Sequence, residues 1–178
     1  MATATVAAKK WKAPWTNVLD AMFGEEKDGD EVELKRIGFR ADLPQHLASQ
    51  HADILRLWNK AADLIFNEDW KGVAAVLGDF RHKFKGHSLL EKMRLYSYLE
   101  IELNHVPKTQ VVRTLFEKEG TSLEASIAEF VSMCDSIPET EEEIADRIDK
   151  YALLSDRLTK RFAREENELF LHYRPSKR

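Results

Sequence analysis

From residue 44 onward, apolar residues recur at intervals of three and four, the spacing of helices that each bury one face. The pattern predicts four long helices. The first covers 44–66, with Pro44 in its first turn, where a missing N–H costs nothing. Asn67, Glu68 and Asp69 interrupt it, and Asp69 is placed to cap the next helix. The second runs unbroken over 70–103 and contains Gly72, Gly78 and Gly86, each costing about 1 kcal/mol against alanine. A break at 104–107 precedes the third, over 109–134. Thr140 and Glu143 have capping-box spacing at the start of the fourth, over 141–172. Long helices with short links make antiparallel neighbours, so the expected fold is all-α, an up-down-up-down four-helix bundle.

Residues 1–40 break this rhythm. Trp11, Trp15, Val18, Leu19, Met22 and Phe23 predict a short amphipathic helix, and the Asp-, Glu- and Gly-rich run 24–33 predicts a loop. This N-terminal arm either packs on the bundle or docks a protein partner through Trp11 and Trp15. The bundle then occupies 41–173, and the basic tail 174–178 is expected to be loose. No repeat or long low-complexity tract is recognisable.

Each inward stripe carries a polar residue where an apolar one is expected. The first reads Leu47, His51, Ile54, Trp58, Ala61, Ile65. The second reads Val73, Leu77, Phe80, Phe84, His87, Glu91, then Leu95 or Tyr98. The third reads Val112, Phe116, Glu119, Leu123, Ile127, Phe130, Cys134. The fourth reads Ile144, Ile148, Tyr151, Leu154, Leu158, Phe162, Glu165, Leu169. A buried carboxylate needs a partner. His87 and Glu91, four apart, share one helix face and can offer a nitrogen and an oxygen to one metal ion. At a rise of about 1.5 Å per residue, His51, His87, Glu91 and Glu119 reach similar depths, whereas Arg161 fits that level better than Glu165. The plain alternative is a set of hydrogen-bonded core residues with no ion.

Composition narrows the classes. The chain has 178 residues, enough for one domain with a substantial core. A formal net charge of −4 excludes general nucleic-acid binding, and Lys9, Lys10 and Lys12 form only a small solubilising cluster. No apolar run approaches the length of a membrane span. Met1 to Ala8 is small and apolar, but basic residues follow it, the wrong order for a secretory signal. The single cysteine, Cys134, cannot form an intrachain disulfide, so a reducing, cytoplasmic setting is expected. No Gly-rich phosphate loop or nucleophile motif is present, which argues against a hydrolytic or transfer enzyme.

The motifs, in order, resemble the bacterial hemerythrin-like (HHE) domains. These carry an early His on the first helix, a His-x-x-x-Glu motif followed by Leu-Tyr, and a late His-Ile-x-x-Glu-Glu-x-x-Leu-Phe motif. Here His51 stands in the first context, His87 to Glu91 with Leu95-Tyr96 in the second, and Arg161 to Glu166 with Leu169-Phe170 in the third. The resemblance covers residues 44–172. It implies a bundle that can house a non-haem di-iron centre and a role in oxygen or redox sensing, iron handling or stress response. His51, His87, Glu91 and Glu165 match ligand positions of the family. The chain departs from it at Arg161, where the late motif has His, and near Glu119 and Gly120, where a third-helix His is expected. A mono- or dinuclear iron site completed by Glu119 is one expectation. The other is that Arg161 replaces metal and neutralises the carboxylates. A metal-free bundle would instead act as a regulator through protein–protein contacts, similar in kind to the sigma-factor-binding regulators, as a monomer or small homo-oligomer. His46, His82, His105 and His172 match no family role and are expected to be mostly exposed.

Overall fold

The computed structural model describes residues 37–176. Trp11, Trp15 and the expected arm helix lie outside the described residues. Those described form one all-helical unit, with no strand among them.

Helix α1 spans Leu43–Phe66 and has Pro44 in its first turn. The link to the next helix turns at Glu68, which adopts φ 55°. Helix α2, Trp70–Leu90, begins where the Asp69 side chain accepts a hydrogen bond from Gly72 N at 3.0 Å. A Cβ on Gly72 would overlap the Asp69 carboxylate, so the glycine lets the cap close. Replacing Asp69 with alanine should cost about 1 kcal/mol in urea denaturation, the usual worth of such a cap. An unchanged midpoint would show that the cap is idle.

The chain then departs from the unbroken second helix expected of it. It widens into a π-helical segment, Glu91–Tyr96, before the short α3, Ser97–Ile101. Helix α4 covers Pro107–Met133, starting at the proline. Helix α5 covers Glu141–Arg164 and is capped by Thr140 Oγ1, which accepts from Glu143 N at 3.2 Å. The Glu143 carboxylate reaches back to Glu139 N rather than to Thr140. A second π-helical segment, Glu165–Leu169, follows α5 and tightens into one 3-10 turn, Phe170–His172. The tail is tied at its start: Tyr98 donates to the Arg174 carbonyl at 3.0 Å.

Helix α1 packs along α2 and α5, and α4 packs along α5 and α2. Their apolar faces form two separate cores. One gathers Ile54, Trp58, Phe80, Ile127, Leu158 and Phe162 with their neighbours. The other gathers Leu47, Leu95, Leu99, Phe116, Leu169 and Tyr173. A buried polar layer of His51, His87, Glu91, Arg161 and Glu165 interrupts the same helix faces between them.

The stripes of α1 and α2 are buried as their spacing predicts. In α5 the register near the start differs. Ile148 is exposed and Arg147 is buried instead, donating to the Ser136 carbonyl at 2.6 Å and lying over the Trp70 ring. A guanidinium that finds a carbonyl and a ring face can displace an aliphatic side chain from the inward position.

A repeat that residue identities conceal is visible in the spacing of the inward positions, all of them buried except the half-buried Gly120. Leu47, His51, Ile54, Trp58, Ala61 and Ile65 on α1 are matched at identical intervals by Phe116, Gly120, Leu123, Ile127, Phe130 and Cys134 on α4. Phe80, Phe84, His87, Glu91, Leu95 and Leu99 are matched likewise by Leu154, Leu158, Arg161, Glu165, Leu169 and Tyr173. In both second members the backbone changes from α to π at the glutamate. Such π turns are frequent at functional sites.

Candidate metal centre

Three side chains from three helices converge in the polar layer. His51 comes from α1, His87 from α2, and Glu165 from the first position of the second π segment. One ligand atom of each lies within 4.8 Å of the other two, and all three residues are buried. The imidazole rings of His51 and His87 meet edge to face at 4.7 Å, and Phe162 stacks on His51 at 3.9 Å.

The outward atoms of both rings are fixed. His51 Nδ1 lies 2.8 Å from a carboxylate oxygen of Glu166, and His87 Nδ1 lies 3.0 Å from the amide oxygen of Gln50. These acceptors hold a proton on each Nδ1 and leave Nε2 facing the centre. Gln50 is itself held by His46, at 3.1 Å. The atoms that face inward, His51 Nε2, His87 Nε2 and Glu165 Oε2, have no hydrogen-bond partner among the described residues, and neither does Glu91 Oε1. His51 Nε2 and Glu165 Oε2 are 3.0 Å apart but not aligned for a hydrogen bond. Unpaired buried polar atoms are costly and rare. Three of them, on His51, His87 and Glu165, converge closely enough to hold one metal ion.

Electrostatics agree with that shape. Burial, then the neighbouring His51, pushes the His87 imidazole down to about 4, which keeps it a neutral donor at physiological pH. Burial raises the Glu165 carboxyl, but His51 and Arg161 together outweigh it and hold it below its ordinary value. Burial and the nearby Glu165 push Glu91 up to about 8. Arg161 loses some basicity to burial and regains more from Glu165, Tyr96 and Glu91.

Arg161 points into the core. Its Nε donates to Glu165 Oε1, its Nη1 to the Phe116 carbonyl at 2.6 Å, and its Nη2 to the Tyr96 hydroxyl at 2.6 Å. Glu91 Oε1 lies 3.8 Å from Nη2. A cavity of about 20 Å³, room for about one water molecule, is lined by His87, Glu91, Gly120, Arg161 and Glu165 among others.

Glu119 does not join this group. It is about a third exposed, takes an ion pair from Arg164 at 2.7 Å and stands 3.8 Å from Arg161. The inward position on α4 belongs to Gly120, one residue further along, which restores the four-then-three spacing from Phe116 to Leu123. His46, His82 and His105 are exposed as expected, whereas His172 is half-buried and hydrogen-bonds Thr109 at 3.0 Å. Gln50 lies outside every stripe and motif, whereas Glu166, Tyr96 and Gly120 fall at positions of the hemerythrin-like motifs without an expected orienting role. Gln50 is the chain neighbour of His51, and that adjacency is the only signal it carries.

Comparison of the chain with models of known families, with curated proteins and with solved structures returns no match.

Proposed function

We propose that the chain is a hemerythrin-like, up-down-up-down helical bundle that binds a non-haem divalent metal, iron by preference, in a cytoplasmic sensing or stress-response role. The observation that carries this reading is the convergence of His51 Nε2, His87 Nε2 and Glu165 Oε2, buried and without hydrogen-bond partners. Two imidazoles and one carboxylate form the donor set that suits ferrous iron with open coordination positions. When bound, iron supplies an open position and a one-electron couple. The residues of the chain do the rest. Glu166 and Gln50 orient the two rings, and Phe162 shields His51. Arg161, with His51, keeps the Glu165 carboxyl below its ordinary value.

Gln50 gives a specific check. Its replacement by leucine frees Nδ1 of His87 and should weaken metal binding about 10–100-fold, the usual effect of losing a partner that orients a ligand. Competition with a coloured chelator measures this. An unchanged affinity would show that Gln50 does not set the ring.

The reading as a whole is tested by metal content. Protein purified from iron-supplemented cells should retain iron and show a visible spectrum. His87→Ala protein from the same culture should retain none. Metal-free wild-type protein, or equal iron in the variant, would sink it.

The metal-free regulator remains the second reading, favoured by one observation: Arg161 already supplies a positive charge to Glu165 and approaches Glu91. Lack of metal in the purified protein would favour it.

A further inference from the structure

The matched registers of the two helix pairs make His51 the counterpart of Gly120, His87 the counterpart of Arg161, and Glu165 the counterpart of Glu91. The ligand triad takes its two histidines from the first pair and its carboxylate from the second. The exchanged triad is therefore Gly120, Arg161 and Glu91. Neither glycine nor an arginine side chain can ligate a cation. Glu91 is left as the one carboxylate of the exchanged triad, and its Oε1 is buried without a hydrogen-bond partner among the described residues, 3.8 Å from Arg161 Nη2.

Gly120 and Arg161 fit one another. A Cβ on Gly120 would stand 3.3 Å from Arg161 Nη2 and 3.7 Å from its Cζ, so a bare backbone on α4 is what leaves the guanidinium its place. The Phe116 ring, one turn earlier, lies under the same group at 4.7 Å and the Phe116 carbonyl accepts from it.

Resting on the metal-binding reading, we infer that this is a one-metal centre by construction: the Arg161 guanidinium, admitted by Gly120, stands in the second half-site as a permanent cation. The occupant of the first half-site is a single divalent transition metal, held by His51, His87 and Glu165. The second half-site takes none, and Glu91 is matched to a side chain instead of an ion.

Stoichiometry tests this. Metal-stripped wild-type protein is dialysed against excess ferrous iron without oxygen, and in parallel against zinc, and bound metal is measured per chain. One equivalent is expected. Two equivalents overturn the inference while leaving the metal-binding reading intact. No bound metal overturns both. A double variant, Gly120→His/Arg161→His, rebuilds the exchanged triad with Glu91 and should take up a second equivalent. Its folding is checked by circular dichroism. A folded double variant that stays at one equivalent overturns the inference.

Discussion

Replacing Arg161 with leucine should destabilise the metal-free protein by about 3–5 kcal/mol, the cost of removing one partner from a buried ion pair. The side chain is 6% exposed and donates to Glu165, to the Phe116 carbonyl and to Tyr96. Leucine matches part of its volume but none of its charge or donors. Glu165 would then stand in a low-dielectric layer without its cation, and the Phe116 carbonyl would lose a buried donor. Urea denaturation at neutral pH, after chelation, measures the loss. A change below about 1 kcal/mol, the range of exposed ion pairs, would mean that Arg161 does not hold the layer together.

His87→Ala should act on binding more than on folding. Losing a residue that merely orients a ligand costs about 10–100-fold in affinity, so losing the ligand itself should cost more than about 100-fold. The side chain removed is neutral at physiological pH, and its one hydrogen-bond partner, Gln50, is half-buried and keeps its contact to His46. The fold should therefore survive, with a penalty of about 2 kcal/mol for the small cavity and the freed amide. Metal competition and a urea melt on the same preparation separate the two effects. A variant that binds metal as tightly as the wild type would remove His87 from the site.

The spacing of apolar residues was enough to locate His51, His87 and Glu165, because each occupies a position that the helical repeat assigns to the interior. Where a helix keeps one repeat, that logic holds. It misplaces residues where the backbone changes pitch or where a side chain of unexpected type wins the inward position. Glu91–Tyr96 and Glu165–Leu169 are π-helical, which no interval of three and four foretells. Arg147 takes the place expected of Ile148 because Ser136 and Trp70 satisfy its guanidinium. On α4 the spacing puts Glu119 on the inward stripe, yet Gly120 is the residue that faces Arg161. Glycine gives no signal in a hydrophobic pattern, and its role is legible only against the Arg161 group it admits. The orienting partners Gln50 and Glu166 depend on side-chain direction across helices, which sequence spacing does not encode. The arm with Trp11 and Trp15 lies outside the described residues.

Cobalt titration of the metal-stripped protein tests the central claim most directly, because cobalt in a nitrogen- and oxygen-donor site absorbs visible light and can be followed in solution. A saturable visible band is expected for the wild type, absent from His51→Ala and from His87→Ala although both remain folded. No band in the wild type, or the same band in either variant, would contradict a metal centre at His51, His87 and Glu165.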